Sequence, residues 1–355
     1  MVHYPLVRIA MSDADNPSQP EPPTLQALFD RVEQMVRWGR PSDALPILDH
    51  LAEQVPTEPQ VYFLRAQATR QAGGVTSAFV DVRAALALSR RLGVDLHPMQ
   101  VLSDELKREL AEEVPLLAVA RATAILRRLI LSDKQRAAEE LAESLGPHVG
   151  SYRSLLLLAV GLSRMSRGRP DLAIAELEAA VEQFPSLWPA AYACGQALLE
   201  VGDTDGALRA FAYTAAQRRE SSAGFMQSEA EDLLSSSPRL VWGAHRFAFE
   251  RASLLHSLGR SEEALTVLDE LIAEESDAAD AHLSKAVVLT KLGRLEEALA
   301  AVTLAESTLR PEDRSQEPDD PLDRLQRLRI EVLRGLGRND EAQVLAEKLA
   351  AVDVG

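Results

Sequence analysis

Residues 259–268 read GRSEEALTVL, and residues 293–302 read GRLEEALAAV. The two stretches start 34 residues apart, and each begins with a glycine that is followed five residues later by an alanine. The same glycine and alanine recur at Gly39, Gly73, Gly168, Gly202 and Gly337. An eighth copy, SDKQRAA from Ser132, lacks the glycine. A motif that recurs along so much of a 355-residue chain indicates an array of repeats rather than one globular core.

Each copy of this motif has the residues expected at a turn between two helices. Glycine tolerates the left-handed backbone that ends a helix, and the alanine lets two helices approach closely. After Gly259, apolar residues follow at helical spacing, at Ala264, Leu265, Leu268 and Leu271. Aromatic residues make up only 5% of the chain. The sequence therefore predicts an all-α protein of about eight helix-turn-helix repeats.

Intervals longer than the repeat predict insertions after the second, fifth and seventh repeats. The first insertion carries Met99, Leu102, Leu106 and Leu110 at helical spacing, and the second predicts one short helix from Met226 to Leu234. The predicted organisation is a disordered tail at 1–23, repeats 1 and 2 at 24–92, an inserted amphipathic helix at 93–115, repeats 3 to 5 at 116–219, a Ser-rich insertion at 220–238, and repeats 6 to 8 at 239–353 with an acidic loop at 311–321.

The pattern resembles the tetratricopeptide repeat family, whose period is 34 residues. The resemblance covers roughly residues 25–353 and is supported by the closing prolines Pro56, Pro185 and Pro311. It implies a right-handed superhelical solenoid that acts as a non-catalytic scaffold or adaptor and binds a partner peptide or helix in its concave groove. An alternative is a peptide-sensing regulatory protein that changes conformation on ligand binding.

The family has a small residue seven positions before each turn, and this chain departs from that pattern in three repeats. Val32, Ile125 and Ile330 take that position there, and we expect those repeats to pack irregularly.

The resemblance also projects which side chains face the groove, because in this family the first helix of each pair lines it. The projected positions lie 13, 10, 6 and 3 residues before each turn, and they are wholly apolar in repeats 3 and 4 and basic in the last repeat. The candidate partner-binding residues on this face or at its margin are Leu126, Leu155, Leu158, Leu162, Arg246, Phe249, His256, Lys291, Arg324, Arg327 and Arg334.

The basic end of the groove predicts an acidic partner. Arg324, Arg327 and Arg334 are spaced so that they share one helical face, in a chain whose net charge is −16. Guanidinium groups hold carboxylates by two-point contacts. The alternative is a solvated face on which these arginines pair with Glu331 and Asp323.

The apolar part of the groove predicts a cover, because soluble proteins seldom leave such a patch bare. We expect the inserted helix from about Met99 to Leu110 to provide it, with a partner helix or a second copy of the chain as the other candidates.

Composition argues against several other classes of protein. A net charge of −16 and a pI near 5.0 repel a phosphate backbone, so no nucleic-acid partner is predicted. The apolar stretches 116–131 and 155–162 are interrupted by arginine or are too short to span a bilayer, which predicts no membrane insertion.

The N-terminal residues do not read as a signal peptide, and the single cysteine, Cys194, is expected to be buried. A cytoplasmic location follows, and the five lysines among 38 basic residues suit a GC-rich bacterial source.

No cofactor, metal or catalytic site is predicted. The sequence lacks a phosphate-binding glycine loop, a paired-histidine zinc helix, paired CxxC motifs and a serine nucleophile elbow. His245, His256 and His282 differ in helical phase, which argues against a shared metal. The family's clamp for a chaperone C-terminal tail uses Lys and Asn side chains. Here Asn16 and Asn339 lie outside the groove, so that ligand is disfavoured.

Overall fold

A computed structural model describes residues 24–90, 92, 95–110, 115–220, 224–237, 240, 246–274, 279–309 and 321–352, with backbone alone at 246, 321 and 350–352. The predicted tail at 1–23 lies outside the described residues, as does the predicted acidic loop at 311–321 apart from its last residue.

The described residues form eighteen α-helices and no β-strand. The helices are α1 (Leu25–Arg37), α2 (Pro41–Gln54), α3 (Pro59–Gln71), α4 (Val75–Ser89), α5 (His97–Glu109), α6 (Leu116–Leu131), α7 (Gln135–Leu145), α8 (Arg153–Ser166), α9 (Pro170–Gln183), α10 (Trp188–Glu200), α11 (Thr204–Glu220), α12 (Phe225–Ser235), α13 (Arg246–Ser257), α14 (Ser261–Glu274), α15 (Ala279–Lys291), α16 (Leu295–Thr308), α17 (Pro321–Gly335) and α18 (Asn339–Val352). Eight successive pairs match the predicted repeats, and α5 and α12 are extra helices. The predicted all-α fold of helix-turn-helix repeats is confirmed.

The predicted turn glycines adopt the backbone conformation that a helix reversal requires. All seven have positive φ, from 66° at Gly39 to 87° at Gly73. In the third repeat Asp133 takes this role with φ of 58°, which aspartate tolerates better than most residues. The alanine five positions later is then Ala138, which is buried, rather than the half-buried Ala137. The turn therefore lies one residue later than the predicted position at Ser132.

The shift changes which residues of α6 face the groove. Leu126 now lies seven positions before the turn, where the fourth repeat has Gly161. A Cβ atom on Gly161 would lie 2.6 Å from Leu177 of α9, so this position faces the second helix of its own repeat. Leu126 is fully buried at the equivalent place, and its assignment to the groove is wrong. The corrected groove positions of α6 are Ala120, Thr123, Arg127 and Ile130.

The chain divides into two compact units. The first comprises Met1–Val201 and Glu220–Val241, and the second comprises Gly202–Arg219 and Trp242–Gly355. The first unit therefore contains α1 to α10 and α12, and the second contains α11, apart from its last residue, and α13 to α18. The chain passes from the first unit to the second, returns to the first for α12, and then enters the second again.

In the first unit, consecutive helices pack in series, and the side chains between them are fully buried. Tyr62 of α3, Leu141 of α7 and Leu177 of α9 each have 0% exposure. The helix α6, which follows the first insertion, packs against α4, α7 and α8. This packing restores the series of repeats after the insertion.

A buried ionic cluster joins α3, α4 and α6 in the first unit. The carboxylate of Asp81 is fully buried, and it accepts hydrogen bonds from Arg65 at 2.6 Å and from Arg121 at 2.7 Å. Arg65 also contacts Asp49 at 3.1 Å. Two guanidinium groups satisfy the buried carboxylate, and the cluster fixes α6 against the second repeat.

In the second unit, the series runs from α13 to α18, and the first helices α13, α15 and α17 also contact one another. At the end of the series, Ile330 and Leu333 of α17 pack with Ala342 of α18. Leu299 of α16 and Leu345 of α18 pack against this cluster.

Candidate functional site

The groove side of repeats 3 to 5 is covered by a helix of the chain itself. α12 packs against α6, α8 and α10, which are the first helices of these three repeats. Leu155, Leu158 and Leu162 of α8, which were projected to line the groove, each have 0% exposure. The expected apolar patch is therefore closed, and these candidate partner-binding leucines lie in a packed interface.

The N-terminal end of α12 is held by two contacts. The ring of Phe225 packs edge-on against the ring of Tyr152, with centroids 6.1 Å apart. The side-chain amide of Gln227 donates a hydrogen bond to the carbonyl of Ser186. Because Tyr152 directly precedes α8 and Ser186 shortly precedes α10, α12 begins beside the N-terminal ends of both helices.

Further along α12, two carboxylates contact α6. Glu229 is hydrogen-bonded to the hydroxyl of Thr123, and Asp232 pairs with Arg127 at 3.2 Å. The residue numbers rise together along both helices, so α12 and α6 run in the same direction. Thr123 and Arg127 are two of the corrected groove positions of α6, and the one-residue register error in the sequence prediction concealed them.

The burial of Glu229 against α6 favours a neutral carboxyl group. Burial raises the pKa of Glu229. The hydrogen bond from Thr123 opposes this shift, Asp232 adds to it and Arg127 opposes it. The Thr123 hydroxyl also lies 3.0 Å from the carbonyl of Ala120. A protonated Glu229 can donate to the Thr123 oxygen and leave the hydroxyl hydrogen for Ala120. The docked helix therefore accommodates the neutral form of Glu229 better than the charged form.

α12 is amphipathic, and its apolar face is the one that is buried. Ala230, Leu233 and Leu234 have 0% exposure, whereas Ser228 and Ser235 are exposed. The apolar residues occupy successive turns on one side of the helix, as expected for a helix that lies in a groove.

The first inserted helix does not provide this cover, which corrects the sequence prediction. α5 packs against α4, where Leu102 and Leu106 are buried. Its carboxylates Glu105 and Glu109 pair with Arg70 at 2.5 and 2.7 Å. Arg70 is a projected groove position of the second repeat, so each inserted helix places carboxylates against a groove arginine.

In the second unit, several described residues of the projected groove face are half-buried or exposed. On α13, Phe249 and His256 are half-buried, and His256 is hydrogen-bonded to Ser261 at 2.9 Å. On α15, Leu283 is half-buried and Val287 is 39% exposed. The candidate Arg246 begins α13, but its side chain lies outside the described part of the chain.

The basic residues at the end of this face are solvent-exposed. Arg324, Arg327 and Arg334 of α17 are exposed, as is Lys291 at the end of α15. Within the described part of the chain, no carboxylate lies within 4.0 Å of the guanidinium groups of Arg327 and Arg334. In contrast, Arg329 on another face of α17 is bonded to Glu306 at 2.5 Å. The alternative pairing with Glu331 is therefore not seen for Arg327 or Arg334.

Two further reactive side chains, those of Cys194 and His282, are buried. Cys194 is buried, and burial raises the pKa of its thiol to about 12, with Glu178 adding to the shift. His282 is buried in α15. In the part of the chain that the structure describes, no cluster of three His, Cys, Asp or Glu is placed to hold a metal ion. Within the same residues, no helix combines the length and apolar character needed to cross a membrane.

A cavity of about 290 Å³ lies among α11, α13 and α14 of the second unit. Arg219 on its wall pairs with Glu270 at 3.2 Å and with Glu274. The guanidinium of Arg218 lies over the ring of Phe247, 5.7 Å from its centroid. Both carboxylates on the wall of this cavity are therefore paired with one arginine, Arg219.

The fold and the two grooves define a helical repeat protein of the kind that binds other macromolecules along its first helices. The model of the tetratricopeptide repeat family matches residues 158–223 and 249–314. These two stretches are therefore tetratricopeptide repeats, as the spacing of the glycines predicts. The helix α12 lies between the two matched stretches and belongs to neither.

No curated protein matches the sequence. Similar solved structures include a fragment of MamA from Desulfovibrio magneticus RS-1, with 14% identity, a TM-score of 0.42, and coverage of 56% of this chain and 94% of that one. The C-terminal part of a tetratricopeptide repeat-containing protein from Cytophaga hutchinsonii has 11% identity and a TM-score of 0.41, with coverage of 90% and 95%. A tetratricopeptide repeat protein from Parabacteroides merdae has 14% identity and a TM-score of 0.35, with coverage of 87% and 98%.

Proposed function

We propose that this chain is a non-catalytic scaffold or adaptor, and that the groove of its second unit binds an acidic segment of a partner protein. The observation that carries the proposal is the exposed pair Arg327 and Arg334, whose guanidinium groups have no carboxylate partner among the described residues. Most other arginines that the structure describes have one, as Arg329 does.

The chemistry of the groove supports a peptide ligand. The half-buried Phe249 and Leu283 and the exposed Val287 offer apolar contacts, and the arginines of α17 follow on the next first helix of the series. A partner with an apolar residue followed by carboxylates would match this order. Guanidinium groups would give orientation and specificity, and the apolar positions would give affinity.

A regulatory role, in which a ligand changes the conformation of the protein, is the second candidate. The observation that favours it is α12, because this helix occupies the first unit's groove in the way that a ligand would.

The proposal is tested by reversing the charge of the groove arginines. Arg327→Glu with Arg334→Glu is compared with wild type and with a control of equal charge change, Arg260→Glu with Arg338→Glu. The control arginines pair within one turn of their own helices, with Glu263 and Glu341. Proteins that co-purify from the native cell with wild type and with the control are identified, and their affinities are measured over a range of salt concentrations.

We expect the groove variant to lose affinity by roughly tenfold or more, with the loss largest at low ionic strength. Equal affinities of all three proteins for every partner, at every salt concentration, would exclude these arginines as the site.

A further inference from the structure

We propose that α12 is a displaceable occupant of the groove of the first unit, and that the partner which displaces it is an amphipathic helix of about three turns whose apolar stripe is flanked by carboxylates. The inference rests on the proposed function, because it adds regulation to a partner-binding protein. It concerns a different groove, in the other unit.

The position of α12 in the chain is that of a tethered ligand. It is not a helix of any repeat, and the model of the repeat family matches the chain before and after it. The residues that precede and follow the segment 220–241 belong to the second unit. Within the first unit, α12 is therefore held by its docked surface and has no helix of that unit next to it in sequence.

The helix has little stability of its own. Its eleven residues are fewer than the roughly 12 to 15 that an isolated helix needs in water. The residue before it is Gly224, and no side chain caps its N-terminus. Its helical structure therefore depends on docking, and loss of docking would release it as an unfolded segment.

The docked surface resembles a binding interface more than a repeat core. It combines the buried Ala230, Leu233 and Leu234 with polar contacts near the N-terminal end and along one edge. Interfaces that form and dissociate are more polar than permanent cores. Burying Glu229 also opposes docking, since the charged form of its carboxyl is disfavoured there.

The contacts of α12 define the chemistry of the partner. The groove offers the apolar residues of α8 to the stripe of the ligand, and it offers Thr123 and Arg127 to carboxylates spaced three residues apart, as Glu229 and Asp232 are. Arg70 receives the carboxylates of α5 in the same way. An acidic amphipathic helix is therefore the ligand for which the groove is built.

Tethering sets how strongly α12 competes. A segment held by a short connection reaches an effective concentration on the order of millimolar at its site. A partner helix in solution therefore binds the open fraction of molecules only, and its apparent affinity falls in proportion to that fraction. Weakening the docking of α12 increases the open fraction and strengthens partner binding.

The test uses the full chain and a fluorescent synthetic peptide of residues 224–237, GFMQSEAEDLLSSS, with a scrambled peptide as reference. The released variant, Leu233→Asp with Leu234→Asp, places two charges on the buried face of α12 so that the helix undocks. The residues of the groove are unchanged. In the matched control, Ser228→Asp with Ser235→Asp, the same charge is added to the exposed face.

We expect the released variant to bind the peptide roughly tenfold or more tightly than wild type and the control do. Adding Arg127→Glu to the released variant should weaken this binding.

A folded released variant that binds the peptide no better than wild type would overturn the proposal. If the released variant aggregates, hydrogen exchange in wild type decides. Saturating peptide should then speed exchange of the α12 amides while α8 stays protected, and unchanged exchange in α12 would overturn the proposal. Reversal of Arg327 and Arg334 should leave peptide binding to the first unit intact. Failure of the proposed function and failure of this inference are therefore distinguishable.

Discussion

The two units contain the same kind of repeat and differ in what lies on their first helices. In the first unit, Leu155, Leu158 and Leu162 of α8 are fully buried, and α12 packs against this helix. In the second unit, Val287 is 39% exposed at a matching position, and Arg324, Arg327 and Arg334 of α17 are exposed. The two units share the same helix-turn-helix repeat, so the repeat alone does not determine whether a groove is covered. The difference lies in the side chains on the first helices.

The physical reason is the difference in hydration between the two faces. Each leucine on the face of α8 gains about 1.5 to 3 kcal/mol when it leaves water, so an inserted helix with an apolar stripe is stabilised there. Covering Arg327 and Arg334, which have no carboxylate partner among the described residues, would instead lose the hydration of charged groups. The groove of the first unit is thus closed by α12, and the exposed arginines of α17 keep their hydration.

The largest change in stability is expected when a charge is placed at the same repeat position in both units. Leu158 and Leu283 each lie ten residues before the turn glycine, but Leu158 is fully buried and Leu283 is half-buried. We expect Leu158→Asp to lower the free energy of unfolding by about 4 kcal/mol, and Leu283→Asp to lower it by about 1 kcal/mol. Urea unfolding followed by circular dichroism measures both. Equal losses would mean that the two grooves are equally covered.

A smaller effect is expected from pH, through Glu229. Its pKa is raised in the docked state, so docking is strongest below the pKa of the free carboxyl, near 4.5, and weakens as pH rises through the raised value. Glu229→Gln should remove this dependence and stabilise docking at pH 7 by less than about 1 kcal/mol, since solvent screens the site. Asp232 and Arg127 remain unchanged in this variant. Exchange of the α12 amides at pH 5 and 7, corrected for intrinsic rates, measures it. Weaker protection at pH 5 than at pH 7 in wild type would contradict the expected sign.

The smallest effect on stability is expected where binding is proposed. Reversal of Arg327 and Arg334 removes no ion pair among the described residues, so the free energy of unfolding should change by less than about 0.5 kcal/mol. Arg329→Glu breaks the pair with Glu306 and should lower the free energy of unfolding by about 1 kcal/mol. Thermal unfolding of the three proteins measures the difference. A larger loss for the double reversal than for Arg329→Glu would mean that Arg327 and Arg334 stabilise the fold.

The sequence predicted the repeats well because each turn has a local cause. Seven glycines were found in the expected conformation, and the short helix predicted from Met226 to Leu234 is α12, which extends one residue further at each end. The third turn was misplaced because Asp133 replaces glycine, and because Ala137 and Ala138 fit either register.

The cover of the groove was assigned to the wrong insertion for a different reason. Helical spacing in both insertions identifies an apolar stripe, but it carries no information on which surface the stripe packs against. That choice depends on contacts between residues far apart in the chain, such as Thr123 with Glu229. The open face of α17 was projected from the resemblance, and its role in binding remains a prediction.

The return of the chain to the first unit has a consequence for biosynthesis. Repeat arrays have mostly local contacts and can fold as they emerge from the ribosome. Here the contact between Thr123 and Glu229 cannot form until Glu229 has been synthesised, 106 residues later in the chain. At about 5 to 20 residues per second, α12 follows α10 out of the ribosome with a delay on the order of seconds. During that interval the leucines of α8 have no cover, and a chaperone or a partner helix that reaches them meets no competitor.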